Sequence, residues 1–94
     1  MRRQVDSNQA EIVAALRQIG VTVTVLSMVG FGCPDIVAGY RGTNYLLEIK
    51  DGMKSPSRQK LTPAEMRWHR DWEGQSAIVV SVEDAIRTVT DENI

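Results

Sequence analysis

The turn-forming pair Arg41-Gly42 lies between two runs of strand-forming residues, and this pattern constrains the fold more than any other part of the 94-residue chain. Val, Ile, Leu and Tyr are frequent in the runs 35–40 and 44–50, which predicts an antiparallel hairpin. A four-residue loop from Tyr40 to Thr43 would join the two strands and set their register. Because a shift of one residue would move every side chain to the other face, this prediction also fixes which side chains meet.

In the predicted register Asp35 lies directly opposite Glu48, and Lys50 shares a face with Glu48 because side chains alternate along a strand. Opposed Cβ atoms are about 4.5 to 5.5 Å apart, where two like charges are destabilising unless something neutralises them. A divalent cation would neutralise both carboxylates. The alternative is a structural ion pair between Lys50 and one acid, which leaves the other acid unexplained. The pattern therefore indicates a metal site at Asp35 and Glu48 with Lys50 beside it.

Length and composition limit the class of protein. Ninety-four residues suit a single domain, so we treat residues 1–94 as one domain. No stretch approaches the roughly 18 consecutive apolar residues of a membrane span, and the first residues lack the apolar region of a signal peptide, which predicts a cytoplasmic protein. The single cysteine, Cys33, excludes an intrachain disulfide and a cysteine-based zinc cluster. Neither the GxGxxG nor the Walker pattern is present, which argues against nucleotide binding.

Charge is unevenly distributed along the chain, although the net formal charge is only −1. Residues 50–70 carry six basic side chains against two acidic ones, whereas residues 71–94 carry six acidic side chains against one basic. The basic segment predicts a surface that attracts phosphates, and an ordinary solvated face is the alternative. The candidate phosphate contacts lie in a polar loop over residues 51–60: Lys54, Arg58 and Lys60.

The first third of the chain has the pattern of a helix, a strand and a turn. Asp6 or Ser7 is the expected N-cap of the helix, and Gly20 is its expected end. Glu11 lies at the edge of the apolar stripe, whose members recur at helical spacing: Ile12, Ala15, Leu16 and Ile19. Alternating Val and Thr then predict a half-buried strand over residues 21–27, followed by a glycine-rich turn.

The last third of the chain has the pattern of a helix, a strand and a helix. Thr62-Pro63-Ala64-Glu65 is a capping box with proline at the first helical position, and Gly74 is the expected end of this helix. Residues 77–80 form a continuous apolar run typical of a covered strand. Ser81 can cap a final helix that turns four apolar residues inward: Val82, Ala85, Ile86 and Val89. With the hairpin included, the predicted order is αβββαβα.

Three side chains of the second helix have competing interpretations. Trp68 and Trp72 lie on one helical face with Leu61 and Ala64, which predicts that they anchor the core, and a platform for stacking bases is the alternative. The only histidine, His69, flanks this face. We expect it at the surface, because no serine or cysteine accompanies it at a recognisable catalytic spacing.

Three segments together resemble the VRR-NUC branch of the PD-(D/E)xK nucleases, and the resemblance covers nearly the whole chain. They are Gly32-Cys33-Pro34-Asp35-Ile36, Leu47-Glu48-Ile49-Lys50, and Leu61-Thr62-Pro63-Ala64-Glu65-Met66-Arg67-Trp68. The resemblance implies a restriction-endonuclease-like α/β fold with an αβββαβ core, a mixed central sheet flanked by helices, and here a short C-terminal helix. The chain departs from the family at Glu65, where glutamine is usual.

The resemblance also implies roles for individual residues. Asp35, Glu48, Glu11 and the main-chain carbonyl of Ile49 would hold Mg²⁺ or Mn²⁺, since hard cations prefer oxygen ligands. Lys50 would be catalytic, because it would position or help deprotonate the nucleophile and offset charge on the scissile phosphate. Cleavage would leave 5′-phosphate and 3′-hydroxyl ends.

Stand-alone family members are similar to Holliday junction resolvases and are often viral, which implies an endonuclease selective for branched DNA such as junctions or flaps. Symmetric cutting of a junction needs two active sites, so we expect a homodimer. If the chain is viral, we expect it in the cytoplasm of the host. Two alternatives stay open: a catalytically silent module that binds branched DNA, and a nuclease subunit active only with a helicase or recombinase. The residues do not distinguish DNA from RNA.

Overall fold

The protein, described here by a computed structural model over residues 6–90, alternates helices and strands in the predicted order. The elements are α1 (Gln9–Gln18), β1 (Thr22–Val25), β2 (Ile36–Tyr40), β3 (Thr43–Ile49), α2 (Pro63–Asp71), β4 (Ser76–Val79) and α3 (Val82–Thr90), with a short 3-10 helix (Pro56–Gln59) before α2. None of the helices in this range is long and apolar enough to cross a membrane.

The four strands form one mixed sheet in the order β1-β2-β3-β4. β1, β2 and β3 are antiparallel neighbours, whereas β4 runs parallel to β3. The connection from β3 to β4 passes through α2, as a parallel pair requires a crossover. A mixed sheet flanked by helices confirms the predicted fold class.

The β2–β3 hairpin has the predicted register but a shorter turn. Ile36 pairs with Leu47, and Tyr40 pairs with Thr43. The loop is therefore the two residues Arg41 and Gly42, whose φ angles of 52° and 82° are typical of a tight hairpin turn. The predicted four-residue loop is wrong, because Tyr40 and Thr43 continue the ladder.

Helices α1 and α3 pack together on one face of the sheet, and the hydrophobic core lies between them and the strands. The strands contribute buried side chains from alternate positions, among them Ile36, Leu47 and Ile49. Because side chains alternate, Glu48 and Lys50 lie on the opposite face from Ile49. The candidate site therefore forms on the sheet face that α1 and α3 leave uncovered.

Helix α1 differs from its prediction at both ends. Its N-cap is Asn8, whose side chain makes no capping hydrogen bond, so neither Asp6 nor Ser7 has the expected role. Its buried positions are Gln9, Ile12, Val13 and Leu16. Ile19, by contrast, is 42% exposed, because the chain leaves the helix one residue before Gly20, which takes a φ of 95°.

The strands β1 and β4 are the edges of the sheet and are less covered than predicted. β1 spans only four residues of the predicted 21–27, and Val25 at its end is 47% exposed. In β4, Val79 is fully buried, but Ile78 is 45% exposed on the other face. The apolar run of β4 is therefore covered on one side only.

Candidate active site

The loop before β2 packs directly against the first turn of α2. A Cβ atom at Gly32 would lie 2.2 Å from the carbonyl oxygen of Ala64, so only glycine permits this approach. Gly30, Phe31 and Gly32 all have positive φ, at 81°, 59° and 79°. For a residue as bulky as Phe31 this conformation is strained and costs of order 1 kcal/mol or more. The contact brings the start of β2, which carries Asp35, next to α2.

Asp35 is held by the strands on both sides of it. Its side chain is almost fully buried, and Oδ2 accepts a 2.7 Å hydrogen bond from the main-chain N–H of Ile49. Its own N–H donates to the carbonyl of Leu47, and its carbonyl accepts from Leu26. Extending the β2–β3 register by one residue places Asp35 opposite Glu48, as the sequence predicts. The carboxylate is thus fixed beside the Glu48-Ile49-Lys50 segment.

Lys50 lies between two carboxylates on the same face of the sheet. Its Nζ atom is 3.0 Å from Oε1 of Glu65 and 3.8 Å from Oε2 of Glu48. The main chain of Lys50 is anchored as well, because its N–H donates to Val79 and its carbonyl accepts from the Asn8 side chain. Lys50 therefore forms ion pairs with both acids, and the closer of the two is on α2.

Glu65 has two structural roles at once. Its carboxylate accepts a hydrogen bond from the Thr62 N–H in the capping box, and the same oxygen accepts from Lys50. Burial alone would raise the pKa of Glu65, but the hydrogen bonds from Thr62 and Lys50 outweigh it and hold the pKa below its usual value. The capping box predicts the first role. The contact with Lys50 depends on how α2 docks on the sheet, which local sequence does not specify.

His69 faces the site, so its predicted position at the surface is wrong. Its Nε2 atom is buried without a hydrogen-bond partner and lies 3.9 Å from Oε1 of Glu48. Burial lowers the pKa of His69, the carboxylate of Glu65 raises it, and Lys50 lowers it again, with a net decrease. The available signal was spacing: His69 follows Glu65 by four residues and shares its helical face.

Two further acids lie near the start of α1, and the structure distinguishes them. Glu11 is exposed on α1 and lies outside the buried side of that helix. Asp6 is partly buried and lies within electrostatic range of both Lys50 and Asp35. Burial raises the pKa of Asp6, Lys50 lowers it and Asp35 raises it, with a net increase. Asp6, which the sequence suggests only as a helix cap, is therefore the acid of this segment that faces the site.

Three acids, Asp35, Glu48 and Glu65, are buried at this site, and Lys50 is the buried lysine that lies between Glu48 and Glu65. Burial lowers the pKa of His69 beside them. The carboxylate oxygens of Asp35 and Glu48 are the type of ligand that Mg²⁺ prefers, so these residues fit a divalent cation.

The residues also limit how a cation would be held. Among residues 6–90, no three side chains of His, Cys, Asp or Glu are grouped so that they could hold a metal ion. Glu11 stays a predicted member of the ligand set, and its side chain is exposed on α1. Mg²⁺ needs only one or two carboxylates, because it keeps several waters and takes oxygens from a bound phosphate. The oxygen atoms available at Asp35 and Glu48 fit that mode.

The basic residues predicted to contact phosphate lie around the loop after β3. Lys54 is partly buried and within electrostatic range of Asp6, and Lys60 is exposed. The side chain of Arg58 lies outside the part of the chain that the structure describes. Arg67 and Arg70 on α2 are exposed. Basic side chains are therefore present both in the loop after β3 and on α2, the helix that carries Glu65.

Neither a protein-family model nor a curated protein matches the sequence. Among solved structures, the chain is similar to one described as a VRR_NUC domain, with a TM-score of 0.62 and 23% sequence identity. The superposition covers 92% of this chain and 92% of that chain. A match of this extent at this identity establishes the fold.

Proposed function

We propose that this chain, which has the fold of a VRR_NUC domain, is a divalent-metal-dependent endonuclease that hydrolyses phosphodiester bonds of DNA. The observation that carries the proposal is the buried group of Asp35, Glu48 and Lys50, in which Nζ of Lys50 lies 3.8 Å from Glu48. Two neighbouring carboxylates supply the oxygen ligands that Mg²⁺ prefers, and a lysine beside them is suited to a phosphate.

Asp35 and Glu48, with the main-chain carbonyl of Ile49, would hold Mg²⁺ or Mn²⁺. When bound there, the cation supplies Lewis acidity, which lowers the pKa of water and offsets charge on the phosphate oxygens. Asp35 is oriented for this role by the N–H of Ile49. Asp6 is better placed than the exposed Glu11 to add a further acidic group.

Lys50 provides positive charge next to the ligand carboxylates. Its Nζ atom would orient the attacking water or offset the negative charge that develops on the phosphate. Glu65 holds this Nζ atom at 3.0 Å, which limits the positions that the long lysine side chain adopts. Hydrolysis in this arrangement would leave 5′-phosphate and 3′-hydroxyl ends.

The exposed basic side chains would position the substrate. Lys60, Arg67 and Arg70 are exposed on the loop and the helix that follow β3, and Lys54 is within electrostatic range of Asp6. Contacts of this kind reach phosphates and carry no sequence information. We therefore propose that selectivity rests on the shape of the DNA, with four-way junctions or flaps preferred to plain duplex.

Two other functions use the same fold. A silent DNA-binding module would not need the buried carboxylates, since negative charge opposes binding to a polyanion. A nuclease subunit that requires a helicase or recombinase would keep the site but lack turnover alone. Cleavage by the isolated protein would support the proposal and exclude a subunit that depends on such a partner.

The test is a cleavage assay with end-labelled four-way junction, flap, nicked and blunt duplexes of matched sequence. Purified protein is incubated with Mg²⁺, with Mn²⁺ or with chelator, and the products are resolved and checked for 5′-phosphate by ligation. We expect cleavage with metal only, and faster on branched substrates than on blunt duplex.

Asp35→Asn and Glu48→Gln should abolish cleavage while leaving DNA binding in chelator intact. Glu83→Gln, at an exposed acid of α3, is the matched control and should cleave normally. Tight binding to junctions with no cleavage in either metal would favour the silent module. Cleavage that persists in chelator would overturn the proposed mechanism.

A further inference from the structure

The two tryptophans of the chain lie outside the hydrophobic core, contrary to the sequence-based expectation. Trp72 is 44% exposed, Trp68 is only partly buried, and neither belongs to the core cluster or packs against it. The only buried residue of α2 is Glu65, which faces the candidate site. The aromatic face of α2 therefore points to solvent. Large aromatic side chains are costly to expose without a partner.

The indole rings form an ordered pair at this surface. Trp68 and Trp72 are stacked with ring centroids 4.7 Å apart and an interplanar angle of 16°. The indole N–H of Trp72 donates to the carbonyl of Gln75, which fixes the ring near the end of α2. The pair therefore offers a rigid π-surface to a ligand.

Phe31 brings a third aromatic ring to the same place. It is 94% exposed and is the middle residue of the positive-φ segment that is packed against α2 at Gly32. A strained backbone that presents an apolar ring to water does not help the fold, because the ring buries almost nothing. Such an outlier is a reason to look for a ligand.

These rings line one open cleft of about 470 Å³. Its walls are Phe31, Ala64, Arg67, Trp68, Asp71 and Trp72. Asp71 is paired with Arg70 at 2.8 Å, whereas Arg67 has no carboxylate partner within residues 6–90. The cleft thus combines flat aromatic surfaces with the guanidinium group of Arg67.

We propose that this aromatic cleft binds an unpaired nucleobase of the substrate strand while Arg67 contacts an adjacent phosphate. A base stacks on aromatic side chains whatever its identity, and a guanidinium group complements the phosphate of the same nucleotide. The inference rests on the proposed nuclease function and deepens it. Unpaired bases are available in single-stranded flaps and overhangs but not inside a duplex, so the cleft would select substrates that carry a single-stranded segment.

The cleft is also next to the proposed catalytic groups. Trp68 contacts the His69 ring with centroids 5.1 Å apart, and His69 in turn lies 3.9 Å from Glu48. A base held in the cleft is therefore separated from the ligand carboxylate by the width of one side chain. Stacking would fix the strand close to the bond that is cut.

Intrinsic fluorescence provides a direct test, because the chain has two tryptophans and both line the cleft. The full-length protein is titrated in chelator, so that nothing is cleaved, with a ten-nucleotide oligothymidine and with an abasic oligonucleotide of the same length. We expect saturable quenching by oligothymidine. The abasic strand carries the same phosphates, and we expect it to bind about fivefold to a hundredfold more weakly, the range of one stacking contact.

Phe31→Ala should reduce oligothymidine affinity by a similar factor and change binding of blunt duplex less than about twofold. Phe31→Tyr keeps the ring and should restore affinity. Met28→Ala is the matched control, because Met28 belongs to the same loop and is 80% exposed but does not line the cleft. Each variant is also analysed by size exclusion with light scattering.

Three results would overturn the inference. They are equal affinity for the abasic strand, unchanged affinity in Phe31→Ala, and a dimer that Phe31→Ala converts to monomer, which would assign the cleft to a second copy of the chain. Failure here is distinguishable from failure of the nuclease proposal. If the protein cleaves DNA with metal but oligothymidine and the abasic strand bind equally well, only the inference about the cleft is wrong. If oligothymidine quenches the fluorescence more than the abasic strand does but no DNA is cleaved, only the catalytic proposal is wrong.

Discussion

The ammonium group of Lys50 lies 3.0 Å from Glu65 on α2, closer than its 3.8 Å separation from Glu48, the acid two residues before it on the same strand. Lys50 is therefore held more closely by an acid from across the fold than by the neighbouring acid of its own segment. Because the same Glu65 oxygen also caps α2, the start of that helix and the position of the lysine are coupled.

Replacing Lys50 tests both catalysis and this coupling. Lys50→Ala should lower cleavage by about 10²- to 10⁴-fold, the usual range for loss of a positioned proton-transfer group. It should also destabilise the metal-free protein, because it leaves Glu48 and Glu65 without their shared cation. Cleavage assays and urea unfolding in chelator measure the two effects.

Lys54→Ala is the control for the stability measurement only, because it removes a lysine in the loop after β3 that makes no ion pair within residues 6–90. The double variant Lys50→Ala/Glu65→Gln should recover part of the lost stability but none of the activity. Normal turnover by a folded Lys50→Ala protein would rule out the proposed role of Lys50.

Asp35→Asn should raise the stability of the metal-free protein while it destroys activity. The amide oxygen can still accept the hydrogen bond from Ile49, but the repulsion with Glu48 is removed. A metal at a hundredfold its dissociation constant stabilises the wild type by about 2.7 kcal/mol. This gain exceeds the repulsion between two opposed side chains, which is roughly 0.2 to 1 kcal/mol. With metal bound, the wild type should therefore be more stable than Asp35→Asn. Thermal melts in chelator and in excess Mn²⁺ measure this. A wild type that is already the more stable protein in chelator would contradict it.

The contributions of Asp6 and Glu11 to metal binding and cleavage can be distinguished by conservative substitution. Asp6→Asn should weaken Mn²⁺ binding and cleavage, because Asp6 is within electrostatic range of Asp35 and Lys50. Glu11→Gln should change both by less than about twofold, since an exposed carboxylate interacts weakly through solvent. Isothermal titration with Mn²⁺ gives the affinities. A larger loss of Mn²⁺ affinity and cleavage in Glu11→Gln than in Asp6→Asn would instead identify Glu11 as the additional acid of the metal site.

Stability in chelator should fall with decreasing pH in two steps. The pKa of His69 is below its ordinary 6.5, so the unfolded state binds more protons between the two values and stability declines as pH falls below about 6.5. The pKa of Glu65 is below its ordinary 4.5, so its contribution is complete above that pH and is lost below it. Urea unfolding across this range should show both steps, and His69→Gln should remove the upper one. A wild-type curve that is flat from neutral pH down to the glutamate range would contradict this assignment.

The protein should form a homodimer, because symmetric cutting of a four-way junction needs two active sites related by a two-fold axis. Light scattering after size exclusion, with and without an uncleaved junction in chelator, measures the mass directly. A protein that stays monomeric on the junction would instead favour single nicks or flap cleavage.

The hairpin register could be predicted because its determinants are local. Arg41-Gly42 suits a tight turn, and the alternation of apolar side chains specifies which face of each strand is buried. The same is true of the Thr62 capping box and of α3, whose predicted inward residues do lie against or within the core. These elements are specified by neighbours along the chain.

The environment of α2 could not be predicted in this way. Periodicity shows that Trp68 and Trp72 share a face, but not whether that face turns towards the sheet or away from it. The orientation depends on the contact between Gly32 and Ala64, which are far apart in sequence. Once α2 is docked, Glu65 and His69 face the strands and the indoles face solvent.

The two-residue turn at Arg41-Gly42 has a consequence for how such a chain tolerates insertions and deletions. One residue added there either bulges out or shifts the pairing, and in the shifted pairing Asp35 no longer lies opposite Glu48. The segment from Asp51 to Lys60 has no strand register to preserve, so its length is free to change. In evolution and in engineering alike, the distant hairpin tip should keep its length, whereas the loop beside the site is where chains of this fold gain or lose residues.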